Sequence, residues 1–179
     1  MTPDLPGRAG QMGRSLSSAA RAQAASEADV EALGRAFGLA MAPRLEALDD
    51  DHHPAYLHPG RSALILLRDV GAVDVSVLIL ACLHESVDES WRVPPEEIQA
   101  TLGAAAVRAM ASIPLPGDER LAERLLTLGP GLSLAAVAER LDHLRHLHQR
   151  EDLLDLWAGT YEEVVATWLP FARRVHPRL

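Results

Sequence analysis

The segment Val75-Ser76-Val77-Leu78-Ile79-Leu80-Ala81-Cys82-Leu83 is apolar nearly throughout and runs without a break into His84-Glu85-Ser86-Val87-Asp88-Glu89-Ser90. A run this apolar belongs inside the fold, so its end carries a histidine and three carboxylates to the edge of the core. Buried acids are costly unless something pairs with them. A metal ion is a natural partner, because imidazole and carboxylate together suit first-row ions such as manganese, iron or zinc. Val77 to Leu80 alone would also fit a strand, but the Ala and Leu content and the helical spacing of the residues after Leu83 favour a helix.

The chain has 179 residues, the size of one domain with a real core. Leu, Ala and Arg dominate, aromatics are only 4% and β-branched stretches are few, which predicts an all-α protein. A formal net charge of -8 argues against nucleic acid as the main partner, since a phosphate backbone rewards basic surfaces. It does not argue against a small phosphorylated ligand, which a metal and a few local arginines can hold. The single cysteine, Cys82, excludes an internal disulfide, fits a reducing cytoplasm and reads as core packing. No apolar stretch reaches the roughly 20 residues of a membrane span. Arg8 and Arg14 are not followed by the apolar core of a secretory signal, so the expected location is the cytoplasm, with no membrane partner.

Residues 1–26 are rich in Gly, Ser, Ala, Gln and Arg and show no apolar period, which predicts a disordered tail ahead of a domain over residues 27–179. Ser26 reads as an N-cap with Glu27, Asp29 and Glu31 in the first turn, and Val30, Leu33, Phe37, Ala40 and Met41 mark a helix that Pro43 should end or kink. A second helix starts at His58-Pro59 and closes at Gly71, and Asp74 opens the apolar one. Pro94-Pro95-Glu96-Glu97 starts the next, with Ile98, Leu102, Val107 and Met110 as its buried stripe. After a loop at Ile113-Pro114-Leu115-Pro116-Gly117 come a helix from about Asp118 to Leu126, a break at Gly129-Pro130-Gly131 and a helix capped by Ser133. A last helix runs from about Glu151 to Ala172, bent before Pro170. The expectation is one bundle of about six or seven helices. Trp157, Tyr161 and Trp168 on its last helix could serve the core or a homo-oligomer surface, with the core favoured.

Three groups of residues carry chemistry. On a helix His84 and Asp88 share a face, as do Glu85 and Glu89, with about 100° between the pairs. A solvated helix end is the plain alternative. Glu139, Asp142, His143 and His146 lie on a helix otherwise patterned for the core. Glu139 and His143, four apart, would serve as one ligand with a neighbouring substrate contact or as a ligand pair, flanked by Arg140 and Arg145. Ordinary surface ion pairs explain this group as well. Tyr56-Leu57-His58-Pro59 places a histidine at a helix start, where a cap or a solvated ring is the common role.

The order of the three groups resembles the HD-domain metal phosphohydrolases, and more narrowly the guanosine tetra- and pentaphosphate (alarmone, ppGpp) hydrolases. His58-Pro59, a buried helix ending in His-acid-x-x-acid-acid and a distant Ala138-Glu139-Arg140-Leu141 carry the likeness. Trp91-Arg92-Val93-Pro94-Pro95-Glu96-Glu97-Ile98 and Leu102-Gly103 extend it, over roughly residues 45–170. The resemblance implies that His58, His84, Glu85 and Glu139 hold one divalent ion, manganese in the family. It places Asp88 and Glu89 as the catalytic pair that positions and deprotonates the attacking water, and Arg140 and His143 as substrate contacts, His143 replacing an asparagine.

The departures from that pattern are systematic. Glu85 and Glu139 stand where the family has aspartate, and Asp88-Glu89 inverts its Glu-Asp, so each acid is kept but moved by one methylene, about 1.5 Å. The family's basic segment before the first histidine is here Asp49-Asp50-Asp51-His52, which sets negative charge beside a polyanionic substrate. His52 and His53 read as solvated loop histidines. The resemblance therefore implies a metal-dependent nucleotide pyrophosphohydrolase whose substrate is open. Its alternatives are a nucleotidase of the wider HD superfamily and an HD-fold protein that binds nucleotide or a partner without turnover.

Overall fold

The computed structural model describes residues 4–71, 74–87, 89–112, 120–149 and 157–179, and among them it is all-α with no strand. The N-terminal segment is not the expected tail. Instead, α1 (Gly7–Ala22) buries Ala9, Leu16 and Ala20 against α2 (Glu27–Ala47) and α3 (His58–Ile65). Ala9 and Ala20 of α1 are buried at 0% and 1% exposure, and the close approach also needs a glycine on the facing helix. A Cβ on Gly60 of α3 would come within 2.4 Å of Met12 Cγ. Leu16→Ala is expected to cost about 2–5 kcal/mol in a urea melt. An unchanged midpoint would show α1 to be outside the cooperative unit.

The Ser26 cap of α2 is present as a reciprocal box. Its Oγ accepts from Asp29 N and the Asp29 carboxylate accepts from Ser26 N, both at 3.2 Å. Pro43 does not end the helix, which continues to Ala47 at the loss of one backbone bond. What the last turn buries is Arg44; Leu45 and Leu48 are only partly covered. α3 begins on His58 with Pro59 in its first turn and passes into a π-helical turn, Leu66–Val70, closed by Gly71 at φ 101°.

α4 (Val75–Leu83) starts where the Asp74 carboxylate accepts from Ser76 N at 2.8 Å. It buries Val77 to Leu83 without exception and packs on α2, α3 and α8 (Pro130–His146), which puts it in the middle of the bundle. Cys82 is one of these core residues, and burial raises its thiol pKa to about 12. A 3₁₀ turn, His84–Val87, follows α4 directly.

The expected helix after Pro94 divides into α5 (Pro95–Leu102) and α6 (Ala104–Met110), because Gly103 takes φ 87° and breaks the ladder. α7 is Leu121–Thr127. The loop at residues 113–117, the start near Asp118 and the start near Glu151 lie outside the described residues. Gly129-Pro130-Gly131 proves to be the opening of α8, with Gly129 as N-cap and Pro130 where no N–H is needed. Ser133 lies inside that helix, its Oγ turned to Leu128 O at 3.4 Å. α9 is a rod of three successive stretches, Trp157–Glu163, a π-helical Val164–Trp168 and Leu169–Val175. The π turn falls just before Pro170, whose ring cannot fit a regular α-turn. The described residues thus form nine helices instead of six or seven. Trp168 belongs to the core, whereas Tyr161 is 70% exposed and does not; the Trp157 side chain lies outside the described residues. No helix among the described residues is long and apolar enough to cross a membrane.

Candidate metal centre

Three elements meet at one end of the α4 axis. His58 opens α3, His84 and Glu85 sit on the 3₁₀ turn after α4, and Glu139 and His143 lie one turn apart on α8. One ligand atom from each of His58, Glu85, Glu139 and His143 lies within 4.8 Å of the others. His84 borders the same space, with its Nε2 3.1 Å from His58 Nε2 and 3.7 Å from Glu139 Oε1. His143 Nε2 stands 3.0 Å from Glu139 Oε1 and 3.2 Å from Glu85 Oε1. The structure therefore groups three of the four residues expected to bind metal, His58, Glu85 and Glu139, with His143, which the family resemblance implies only as a substrate contact, and sets His84 at the edge of that group.

Hydrogen bonds define which nitrogen of each ring faces inward. His84 Nδ1 is 2.8 Å from the carbonyl of Ala81, which can only accept, so this nitrogen carries the hydrogen. His58 Nδ1 donates to Asp142 Oδ2 at 2.7 Å, and Arg61 Nε grips the two oxygens of the same carboxylate at 2.9 and 3.0 Å. Asp142 resists ionisation through burial, but the bonds from His58 and Arg61 outweigh this and bring its pKa down to about 2. With both Nδ1 hydrogens committed, two Nε2 lone pairs point at each other beside two carboxylates. A set made only of acceptors calls for a cation, either a proton or a metal ion.

The electrostatics agree with that demand. Burial drives His84 down to about 4, against the pull of Glu139, so its ring is neutral at ordinary pH. Burial alone would raise Glu85, but His58, the bond from His143, His84 and Arg44 together hold it well below the usual carboxylate range. Glu139 is likewise lowered, its burial outweighed by the bond from His143 and by His84, His143 and His58. His143 is the converse case: burial works against its charge, but bonds to Glu139 and Glu85 lift it to about 10. In the metal-free cluster the His143 proton occupies the role of the cation.

Arg44 completes the surroundings. Its side chain is 1% exposed and its terminal nitrogens donate to Glu85 Oε2 and, at 2.7 Å, to Ala40 O, while Nε reaches Ala55 O at 2.9 Å. The guanidinium also lies 4.7 Å from the centre of the Trp91 ring. Sequence reasoning passes over Arg44, although position 44 continues the face of Phe37, Ala40 and Met41. It singles out Asp142 without a role and passes over Arg61, since the pairing of Asp142 on α8 with His58 and Arg61 on α3 has no local signature.

The remaining expected residues lie around the cluster. Arg140 pairs with Glu163 Oε1 at 2.6 Å, faces the Trp168 ring and has a buried Nε without a hydrogen-bond partner among the described residues. It lines a cleft beside the cluster together with Arg61, His146, Leu147 and Thr160. Glu89 is exposed on a short 3₁₀ turn, Glu89–Trp91, and Asp88 lies outside the described residues. His52 is solvated as expected, and His53 Nδ1 accepts from Ala55 N at 3.2 Å. Asp51 of the acidic loop pairs with Arg8 of α1 at 3.8 Å. No family model, curated protein or solved structure matches the chain.

Proposed function

We propose that this cluster is the centre of a metal-dependent phosphohydrolase of the HD type, acting on a nucleotide pyrophosphate or phosphate ester such as an alarmone. The supporting observation is the inward-facing set of acceptors, two imidazole lone pairs and two glutamates held together by three helical elements. His58, His84, Glu85 and Glu139 would hold one divalent ion, with manganese as the first ion to test. Such an ion, when bound, supplies Lewis acidity to a phosphoryl oxygen and lowers the pKa of water. The chain supplies the rest. Asp142 and Arg61 fix the His58 ring, Arg61 and Arg140 line the cleft where phosphoryl charge would be opposed, and Asp88 and Glu89 are the candidate bases for the water proton. The acidic loop at Asp49–Asp51 disfavours a highly charged substrate, which keeps a simpler nucleotide in view.

One observation favours a second reading, a protein that keeps the fold and binds without turnover. Arg44 and His143 already neutralise Glu85, so the cluster is balanced in the absence of a metal. A single experiment divides the two. Protein supplemented with manganese is expected to carry about one ion per chain and to hydrolyse guanosine tetraphosphate or another member of a nucleotide panel, followed by chromatography of products. His84→Ala should weaken metal binding by about 10–100-fold or more. Bound metal with no turnover across the panel would leave the second reading, and failure to bind any divalent ion would remove the first.

A further inference from the structure

The geometry points to His143 as a fifth protein donor to the proposed ion, giving a site of three histidines and two glutamates that is shifted from manganese towards nitrogen-preferring ions such as zinc. The inference rests on the proposed metal centre and adds to it. His143 Nε2 is 3.0 Å from Glu139 Oε1 and 3.2 Å from Glu85 Oε1, the same oxygens that face His84 and His58 at 3.7 Å. An ion bound by those two oxygens would therefore lie beside this nitrogen. Two further facts keep it there. Glu139 and His143 are four apart on α8, so one rigid turn sets their spacing, and the His143 ring packs 4.3 Å from that of His58.

The position of the residue gives it a second effect. His143 is the most exposed of the donors, with 35% of its side chain accessible, against 2% for His58 and 7% for Glu139, and it lines the cleft. It would thus close the ion on the side from which a substrate approaches. Five protein donors leave one position on an octahedral ion, where four leave two. Imidazole in place of water also favours zinc, copper, iron and nickel over manganese.

His143→Asn tests this against the unaltered full-length protein. Competitive chelator titrations with Zn²⁺ and Mn²⁺ are expected to show zinc affinity falling by about 10–100-fold in the variant while manganese affinity changes by less than about threefold. X-ray absorption of Co²⁺-loaded protein should count three imidazoles in the native chain and two in the variant. The native-chain count stands by itself if the variant folds poorly. Equal loss of both metals, unchanged affinities in a folded variant, or two imidazoles in the native protein would overturn the inference and leave the four-donor centre intact. Absence of binding by either metal to the native protein would overturn both.

Discussion

Arg44→Ala is expected to lower the unfolding free energy of the metal-free protein by about 3–5 kcal/mol, read from urea denaturation. Arg44 is almost wholly buried, and its three nitrogens are divided between Glu85 and the carbonyls of Ala40 and Ala55. Removing it leaves Glu85, itself only 16% exposed, without one of its two bonded cations, His143 being the other, and leaves the Ala55 carbonyl without its Nε donor. The loss should fall in the upper part of the range for a large-to-small change in an apolar site, because a charge is stranded as well as a volume. A double variant, Arg44→Met with Glu85→Gln, should recover part of the loss, since neither partner is then left charged and alone. A loss below about 1 kcal/mol, with no recovery in the double variant, would mean that water or His143 replaces the guanidinium and that the pair is not a structural anchor.

That anchor also shows where sequence reading stops. The all-α class, the central position of Val75–Leu83 and the starts of α2, α3 and α5 are legible, because each rests on local signals: an apolar run, a capping serine, a proline in a first turn. α1 does carry apolar residues segregated to one side at helical spacing, but its buried stripe of Ala9, Leu16 and Ala20 is made largely of small side chains, so a composition of Gly, Ser and Ala reads as disorder when the period is not followed. In the site, the residues on one helix end or one helical face can be grouped from spacing. Their partners cannot. Arg44 reaches Glu85 across 41 residues and Asp142 reaches His58 across 84, and in the sequence an arginine after a proline and an aspartate among other charges look like surface. His143 is visible as a neighbour of Glu139, but which of its two possible roles the fold favours depends on where the turn after α4 places Glu85.

The same placement makes metal binding sensitive to pH. Apparent metal affinity is expected to rise about tenfold per pH unit, and so about 100-fold from pH 6 to pH 8, because an ion that uses His143 must displace its proton. His143 faces Glu85, Glu139 and the His58 ring, and the two carboxylates raise its pKa to about 10, so it stays charged through this window. Glu85 and Glu139 are already ionised there, and His84, at about 4, is already neutral, so none of the three has a proton to give. Calorimetric titrations in buffers of differing ionisation enthalpy should therefore detect about one proton released per Zn²⁺ bound. The metal-free protein should show the complementary trend. A histidine raised above its unfolded pKa of about 6.5 contributes fully below that pH, and its contribution is lost as pH climbs through about 10. The lowered carboxylates act in the opposite sense: their contribution is present above about pH 4.5 and is lost as pH falls, Asp142 last at about 2. His84, lowered to about 4, adds to the acid limb, because below about pH 6.5 the unfolded chain binds a proton that the buried ring refuses. Melting temperatures in chelator should accordingly peak near pH 6.5 and decline on both sides, and His143→Asn should flatten the alkaline limb. Affinity independent of pH, with no proton released, would show that the bound ion leaves the His143 proton in place and that the ring is an ion-pair partner of the two glutamates instead of a ligand.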